Sequence, residues 1–246
     1  MTKPVDKNSL DRIATQYHLN NDLDDKEFDA KFHEACFSWI SKKLSKEDSI
    51  LEMGFGEGNF TSQLLNLEMD VEIIEGSKLL VNEAMQRFKG QVRIHHSLFS
   101  DFQPSKNYSY ILATNILEHV ENPIETLNSI SNWCSKDTKV VITVPNSESI
   151  HRRLAVLMGI QPKLDSLSSR DKMVGHHRVY NYDRLIKDIS CAGFKAIESK
   201  GFQLKVLPNS MMLDFSDSLT QAMYDISDEL DFKLLANIAV IIQIDR

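Results

Sequence analysis

The sequence predicts an α/β fold built around a mostly parallel sheet. Five short apolar runs, each bounded by turn residues, occur between residues 49 and 144 and predict buried strands. Segments with helical spacing separate them, and strands that alternate with helices form parallel sheets through right-handed crossovers. In such a sheet, ligands bind beyond the carboxyl ends of the strands. The fold class therefore also predicts where a site should lie.

Each predicted element follows from its local pattern. The apolar runs that predict strands are Ser49–Met53, Val71–Ile74, Val92–Ile94, Tyr110–Ala113 and Val140–Val144. Helical spacing before and between them predicts helices at Asn8–Tyr17, Glu27–Leu44, Phe60–Leu65, Lys78–Phe88 and Ile124–Cys134. The rest of the chain predicts helices at Tyr182–Cys191 and Met211–Tyr224, and strands at Phe194–Leu207 and Ala236–Ile244. The polar stretch Gln161–Gly175 is too long for a plain connection, so we expect a loop that serves as a lid.

The composition predicts one folded, soluble domain. Hydrophobic residues make up 42% and charged residues 26% of the 246 residues, without an internal repeat. No apolar run approaches the roughly 20 residues of a membrane helix. We expect a single domain over residues 1–246, with N-terminal helices in 1–45 that cap the site or the sheet edge. A cofactor-binding core is expected in 46–146, and acceptor-side helices, loop and final strands in 147–246.

Charge and cysteine usage narrow the expected partners. The net charge is -7, from 28 basic and 35 acidic residues, which argues against a broad nucleic-acid-binding surface. The charged N-terminus lacks the apolar segment of a signal peptide, and Cys36, Cys134 and Cys191 match no zinc-ligand spacing. We expect a cytoplasmic protein with reduced thiols, no required metal, no membrane contact and a small-molecule partner. The sequence leaves the oligomeric state open.

A glycine-rich segment follows the first predicted strand. Three of the nine glycines, Gly54, Gly56 and Gly58, fall between this strand and a helix. Glycine lets the backbone approach a ligand there, and helix-end N–H groups point outward. The next predicted strand is followed by Glu75, and a carboxylate at that place can accept hydrogen bonds from both hydroxyls of a ribose. A nucleoside-containing cofactor is therefore expected.

The spacing of the glycines distinguishes two kinds of cofactor. A dinucleotide fingerprint, G-x-G-x-x-G/A, requires Gly or Ala where this chain has Asn59, which disfavours a nicotinamide cofactor. The string E-x-G-x-G-x-G instead resembles motif I of class I S-adenosylmethionine-dependent methyltransferases. Two further strings, Ile111–Pro123 and Val140–Asn146, resemble the fourth- and fifth-strand motifs of the ubiquinone O-methyltransferase-like branch. The resemblance covers about Ser49–Gly193. It implies a Rossmann-like seven-stranded sheet, mostly parallel with the last strand antiparallel, and helices on both faces.

The resemblance also implies which residues bind S-adenosylmethionine. Glu52, Gly54 and Gly56 would hold the methionine end, and Glu75 would bind the ribose hydroxyls. Asn115 matches the residue whose backbone lies along the methionine portion. The other matching positions are Phe55, Gly76, Ser97, Leu98 and Ile116. Ser97 and Leu98 would flank the adenine, although many relatives carry Asp at the position of Ser97.

His119 is the first candidate for the chemistry of transfer. It follows the fourth predicted strand, and similar small-molecule O-methyltransferases have a histidine at a comparable place. Methyl transfer from a sulfonium is an in-line displacement, so the enzyme must align acceptor, methyl and sulfur. A hydroxyl acceptor also gains from losing its proton to a base with a pKa near neutrality, which suits histidine.

A basic and aromatic cluster follows the fifth predicted strand. Its members are His151, Arg152, Arg153, His176, His177, Arg178 and Tyr180. A solvated surface is one interpretation, and an anion-binding clamp is the other, because arginine offers a planar fork that matches carboxylate and phosphate. On the second interpretation His176, Arg178 and Tyr180 face the acceptor, which then carries a carboxylate or phosphate.

The sequence therefore predicts an enzyme that moves a methyl group from S-adenosylmethionine to a small polar acceptor, at oxygen. Nitrogen and carbon acceptors stay open. The first alternative is a catalytically silent S-adenosylmethionine-binding protein that regulates or scaffolds a partner. The second is a nicotinamide-dependent oxidoreductase.

Overall fold

A single seven-stranded sheet organises the chain. The computed structural model describes residues 7–20, 22–23 and 26–245. Its strands are β1 Ser49–Met53, β2 Asp70–Glu75, β3 Arg93–His96, β4 Tyr110–Thr114, β5 Lys139–Pro145, β6 Phe194–Phe202 and β7 Asn237–Ile244. The strand order is β3-β2-β1-β4-β5-β7-β6. All pairs from β3 to β5 are parallel, whereas β7 runs antiparallel to β5 and to β6. The predicted fold class is confirmed, including the antiparallel last strand.

Helices cover both faces of this sheet. They are α1 Lys7–Ile13, α2 Lys26–Ser41, α3 Asn59–Asn66, α4 Lys78–Phe88, α5 Pro123–Trp133, α6 Ile150–Leu157, α7 Ser169–Met173, α8 Tyr182–Cys191 and α9 Asp217–Asp225. A π-helical turn, Ala14–His18, continues α1. Shorter 3₁₀ turns occupy Asn209–Met211, Ile226–Glu229 and Phe232–Leu234. In the described part of the chain, every helix is too short or too polar to cross a lipid bilayer.

The hydrophobic core has two layers, one on each face of the sheet. Successive side chains of a strand point to opposite faces. Ile50 and Leu112 accordingly belong to one buried cluster, and Leu51 and Ile111 to the other. The first cluster packs α2, α3 and α4 against the sheet, and the second packs α5 and α8. Because both faces are covered, the central strands are apolar along nearly their whole length, which is the pattern that predicted them.

The direction of the strands places a site at one edge. β1 lies between β2 and β4, so the chain leaves β1 toward one side of the sheet and leaves β4 toward the other. Ligands of open α/β sheets bind where the strand order reverses in this way. Met53 pairs with Ile74 and Thr114 with Thr143, so the segments that follow these strands start at a common level.

Three segments differ from the sequence-based expectation. β6 ends at Phe202, because Gln203 adopts a positive φ of 65° and its amide donates to the hydroxyl of Tyr224, which turns the chain out of the sheet. The predicted helix Met211–Tyr224 is replaced by a 3₁₀ turn and by α9, which begins where the Ser216 hydroxyl caps it. The expected polar loop contains α7, which starts with a capping box.

Candidate active site

A cavity of about 1670 Å³ opens at the carboxyl ends of β1, β2 and β4. Every residue that the sequence predicts for the cofactor lines it. These residues are Glu52, Gly54, Phe55, Gly56, Glu75, Gly76, Ser97, Leu98, Asn115 and Ile116. The cavity also extends past β4 to α7 and to the segment after it, so one continuous space joins the predicted cofactor residues to the predicted acceptor side.

The turn between β1 and α3 requires glycine. Gly54 has a φ of 78° and Gly56 a φ of 53°, which side chains rarely tolerate. A Cβ atom on Gly54 would lie only 3.1 Å from Cδ1 of Ile116, and one on Gly56 would lie 3.8 Å from the ring of His18. The backbone N–H of Gly54 donates to the carbonyl of Ile74 at 2.8 Å, which ties the turn to β2. The turn therefore presents bare backbone to the cavity.

Two buried carboxylates stand beside this turn. Glu75 ends β2, and its oxygens accept hydrogen bonds from the backbone N–H groups of Phe55 at 2.8 Å and Ser77 at 2.7 Å. Glu52 lies in β1 and accepts a hydrogen bond from the hydroxyl of Thr61 at 2.6 Å. Burial raises the pKa of Glu75, and burial with the nearby charge of Glu75 raises the pKa of Glu52 to about 8. Burial thus disfavours the ionised form of both carboxyl groups in the empty site.

The loop after β4 is held in an unusual backbone conformation. Asn115 has a φ of 53°. Its backbone N–H donates to the carbonyl and to the hydroxyl oxygen of Thr143, both at 3.0 Å, and its side-chain oxygen accepts from the same hydroxyl at 2.6 Å. These contacts fix the chain where it crosses the floor of the cavity between β1 and β5.

The N-terminal segment covers the cofactor side of the cavity. A carboxylate oxygen of Asp11 in α1 accepts hydrogen bonds from the Ser77 hydroxyl at 2.6 Å and from the Leu79 N–H at 3.2 Å. Cδ1 of Leu10 lies 2.8 Å from where a Cβ on Gly76 would be, so only glycine permits this close packing. α1 is thereby docked on the first turn of α4.

Histidines are concentrated in this cavity. Six of the eight line it: His18, His33, His119, His151, His176 and His177. Burial lowers the pKa of His18 to about 4 and holds those of His119 and His151 well below the ordinary value. For His119 the neighbouring histidines act in the same direction. The ring of His119 is therefore neutral at physiological pH, although its pKa lies lower than the near-neutral value expected from the sequence.

His119 and His176 meet in the part of the cavity formed by the segments that follow β4 and α7. Their ring centroids are 4.6 Å apart and the ring planes are inclined at 74°. Nδ1 of His176 lies 2.9 Å from a carboxylate oxygen of Asp171. The neighbouring Glu118 is fully buried, and burial raises its pKa to about 7.

Arg178 and Tyr180 do not reach the cavity, which corrects the predicted clamp. The guanidinium of Arg178 donates to the carbonyls of Leu117 at 2.6 Å and Glu121 at 2.7 Å, and also to that of Val120. Tyr180 is completely buried and its hydroxyl donates to Asp188 at 2.9 Å. The donor groups of both side chains are already bonded to carbonyl or carboxylate oxygens of the protein. Neither side chain is therefore placed to bind the molecule that receives the methyl group.

The other two arginines of the cluster are also engaged within the protein. Arg152 is buried and forms a 2.8 Å ion pair with Asp171, and it donates to the carbonyls of Leu164 and Ser166. Nε of Arg153 donates to the carbonyl of Glu148 at 2.6 Å. The basic cluster thus stabilises the segments around the site. Its histidines and Arg152 line the cavity, but the guanidinium of Arg152 is already held by Asp171 and by the carbonyl of Ser166.

Sequence reasoning missed two acidic members of the site. Glu118 stands beside His119 in the chain and its side chain is fully buried. Asp171 lies in a stretch that we expected to be loop. Its position as the third helical residue after Ser168 is a capping-box signal, which would have predicted α7.

Known proteins resemble this chain in fold and in sequence pattern. The family profile described as methyltransferase domain matches residues 27–199. A search of curated proteins finds no match. Among solved structures, Burkholderia thailandensis 1,6-didemethyltoxoflavin-N1-methyltransferase, with bound 1,6-didemethyltoxoflavin and S-adenosylhomocysteine, is similar at a TM-score of 0.65 and 14% identity. That similarity covers 100% of this chain and 92% of the other.

Two further solved structures show the same fold. The N-methyltransferase NodS from Bradyrhizobium japonicum, in complex with S-adenosylhomocysteine, is similar at a TM-score of 0.62 and 12% identity, over 97% of this chain and 100% of that one. The magnesium protoporphyrin IX methyltransferase from Synechocystis, with bound S-adenosylhomocysteine, is similar at a TM-score of 0.62 and 11% identity. That similarity covers 96% of this chain and 94% of the other.

Fold and cavity together define a Rossmann-like methyltransferase. The family match spans more than half of the sequence, so the chain belongs to the methyltransferase domain family. The predicted enzyme class, a class I S-adenosylmethionine-dependent methyltransferase, and its cofactor are thereby confirmed.

Proposed function

We propose that this enzyme methylates an oxygen atom of a small polar acceptor, as the resemblance to the ubiquinone O-methyltransferase-like branch implies. One observation carries the proposal. The glycine turn, Glu75 and the neutral ring of His119 all line one cavity. A donor bound against the glycine turn and an acceptor bound beside His119 would share this space.

The predicted cofactor residues fit S-adenosylmethionine. We propose that the bare backbone of Gly54 and Gly56 lies against the methionine portion. Each oxygen of Glu75 already accepts one backbone N–H and has a further lone pair for a ribose hydroxyl. Ser97 and Leu98 line the same wall and would flank the adenine. Burial raises the pKa of Glu52, and the cationic groups of the cofactor would favour its ionised form.

The acceptor end requires alignment and a route for a proton. The cofactor supplies an electrophilic methyl group; the bond from sulfur to this carbon breaks as the bond to the acceptor oxygen forms. We propose that His119 and His176 contact the acceptor at this end. A neutral ring nitrogen keeps a lone pair, which can accept the hydroxyl proton of the acceptor as transfer proceeds.

An anionic acceptor remains part of the proposal, with different residues from those first predicted. The basic side chains that line the cavity include Lys172 in α7 and Lys205 in the segment after β6. These lysines, in place of Arg178, would attract a carboxylate or phosphate. We further propose one domain over residues 1–246 and a cytoplasmic location. The single sheet supports the first, and the free Cys36, Cys134 and Cys191 are in keeping with the second.

Turnover decides between this function and the silent binding module. The enzyme is incubated with S-adenosylmethionine labelled in its methyl group, and with paired acceptors that carry a hydroxyl or an amine, with and without a carboxylate. We expect label in a hydroxylated product and an equal amount of S-adenosylhomocysteine. Label only in amines would move the acceptor atom to nitrogen, as in the N-methyltransferases of similar fold. Binding without turnover of any acceptor would favour the silent module.

The ribose contact is tested by Glu75→Gln, compared with the exposed control Glu47→Gln. Loss of a charge-assisted hydrogen-bond acceptor costs ~1.5–3 kcal/mol, so we expect affinity for S-adenosylhomocysteine to fall about 10- to 100-fold. Calorimetry measures the affinity, and thermal unfolding confirms that both variants fold. Unchanged affinity in Glu75→Gln would remove this residue from the cofactor site, and stabilisation by NAD would reopen the oxidoreductase alternative.

A further inference from the structure

Three potential metal ligands converge beyond the predicted cofactor residues. Glu118 and His119 lie in the loop between β4 and α5, and His176 follows α7. One ligand atom from each, a carboxylate oxygen or a ring nitrogen, lies within 4.8 Å of the other two. Such spacing brings all three within reach of a single ion after small side-chain adjustments, because metal bonds to nitrogen and oxygen are about 2.0–2.2 Å long.

Glu118 lacks a partner that a buried carboxylate needs. Its side chain has 0% exposure, and within the described residues neither carboxylate oxygen has a hydrogen-bond partner. Arg178 influences it through space, but its N–H groups donate to backbone carbonyls instead. An unpaired buried carboxylate is strongly disfavoured in proteins, and coordination of a cation is one of the few arrangements that satisfies it.

The two imidazoles are already oriented for coordination. Nδ1 of His176 donates to Asp171, whose other oxygen is held by Arg152 at 2.8 Å. This arrangement leaves the lone pair of His176 on Nε2. The ring of His119 lies beside Gly175, with Nδ1 3.9 Å from where a Cβ on that glycine would be. A carboxylate or carbonyl that holds one ring nitrogen while the other binds metal is the usual outer shell of histidine ligands.

The types of ligand atom determine which metal ions the site would bind. Two imidazoles and one carboxylate suit Zn²⁺, Mn²⁺, Fe²⁺ or Co²⁺, whereas Mg²⁺ and Ca²⁺ prefer sites made of oxygen. Three protein ligands leave at least one coordination position open, which distinguishes reactive zinc sites from closed structural ones. His119 and His176 both line the cavity, so the open position would face the acceptor end.

We propose that Glu118, His119 and His176 bind one divalent transition-metal ion at the acceptor end of the cavity. Metal binding rests on this geometry alone. Its use rests on the proposed function: the open position would take the acceptor oxygen, and the ion would lower the pKa of the acceptor hydroxyl, which would release its proton to solvent water as sulfur gives up the methyl group. His119 would then hold the ion rather than receive the proton directly.

Binding is tested on the full-length protein after removal of metal by a chelator and dialysis. Zn²⁺ is titrated by calorimetry, and Co²⁺ is followed by its visible absorption, which reports tetrahedral coordination. We expect one equivalent of Zn²⁺ with a Kd below about 10 μM, and at least about 100-fold weaker binding in Glu118→Gln and in His176→Ala. Asp171→Asn should weaken binding by about 10- to 100-fold, since it loosens His176.

The matched control is His151→Gln, which alters a half-buried histidine of the same cavity outside the cluster. It should bind Zn²⁺ as the parent protein does. Thermal shifts with S-adenosylhomocysteine verify that each variant still folds and binds cofactor. Equal Zn²⁺ affinity in the parent and the cluster variants, or no stoichiometric binding, overturns the proposal.

Turnover separates this proposal from the proposed function. Full methyl transfer by the metal-free protein, unchanged on adding Zn²⁺, Mn²⁺, Fe²⁺ or Co²⁺, overturns a catalytic ion and leaves the methyltransferase proposal intact. Stoichiometric metal binding without transfer to any hydroxyl acceptor supports the site and contradicts the proposed acceptor atom. Transfer that disappears with the chelator and returns with one of these ions supports both.

Discussion

Glu52 and Glu75 show how single residues prepare this site for a cationic ligand. Both carboxylates are buried at the ends of adjacent strands. Burial raises the pKa of each, and the charge of Glu75 also raises that of Glu52. Neither forms an ion pair within the described residues. We therefore expect the cationic cofactor to favour the ionised form of both carboxylates when it binds.

The first prediction concerns Glu52 and pH. Its pKa is about 8 when folded and near 4.5 when unfolded, so between these values the unfolded state loses its proton first. Stability should therefore fall as pH rises through this window and level off above it. Glu52→Gln keeps an oxygen for the Thr61 hydroxyl but cannot ionise. Between pH 5 and pH 9 it should lose about 2–4 kcal/mol less stability than the parent.

Urea unfolding at several pH values measures this difference. The control Glu47→Gln replaces an exposed carboxylate and should follow the parent at every pH. If Glu52→Gln shows the same pH dependence as the parent, the carboxylate is already ionised in the folded protein at low pH. Loss of affinity for S-adenosylhomocysteine in the same variant would indicate that the charge serves the cofactor.

At the level of single residues, the sequence placed the glycine turn at the cavity, because backbone conformation is a local property, and it failed where a charged group needed a partner. Gly54 and Gly56 could be placed in the site because their spacing is rare and has a conformational reason. Arg178 could not, because the sequence shows a cation but not the carbonyls of Leu117 and Glu121 that surround it. Glu118 was overlooked because His176, which approaches it in the proposed metal site, is distant in sequence and is brought near it only by the fold.

Elements were predicted well where local signals mark both ends. Lys78–Phe88 and Tyr182–Cys191 match the observed helices residue for residue, and their starts carry the caps Ser77 and Asn181. The end of β6 depends instead on tertiary contacts of Gln203, which no local pattern reveals. Sequence periodicity cannot predict an element boundary that depends on a side-chain contact with a residue distant in the chain.

The second prediction concerns α1, which covers the cofactor side of the cavity. Asp11 is its polar link to α4, through the Ser77 hydroxyl and the Leu79 N–H. Removal of this link in Asp11→Ala should loosen the cover and speed release of S-adenosylhomocysteine by about 3- to 10-fold. Stopped-flow fluorescence measures release, and hydrogen exchange reports the protection of residues 9–18.

Asp137→Ala provides the control, since it removes an exposed carboxylate that does not line this cavity. Its release rate should equal that of the parent. If Asp11→Ala releases S-adenosylhomocysteine at the parent rate while exchange in α1 increases, the helix moves without gating the cofactor. If neither changes, α1 is held by its apolar contacts and the carboxylate is dispensable.

At the scale of the whole molecule, two hydrophobic layers pack against opposite faces of one sheet. Each central strand contributes side chains to both clusters, so neither layer can dissolve without exposing the strands that support the other. The two tryptophans report the layers separately, because Trp39 belongs to the first cluster and Trp133 to the second. The proposed single domain therefore has a direct spectroscopic test.

The third prediction is that both layers unfold in one transition. Trp133→Phe leaves Trp39 as the reporter of the first layer, and Trp39→Phe leaves Trp133 as the reporter of the second. Because each replacement alters stability, the comparison is made within a variant, between its tryptophan fluorescence and its far-ultraviolet circular dichroism in urea. Coincident midpoints in both variants are expected for a cooperative unit of this kind.

Saturating S-adenosylhomocysteine should move the fluorescence and dichroism midpoints together, since a ligand bound at the shared sheet edge stabilises the whole folded state. A fluorescence midpoint that departs from the dichroism midpoint in one variant would instead divide the chain into two units, with the cofactor stabilising only the unit whose midpoint it shifts.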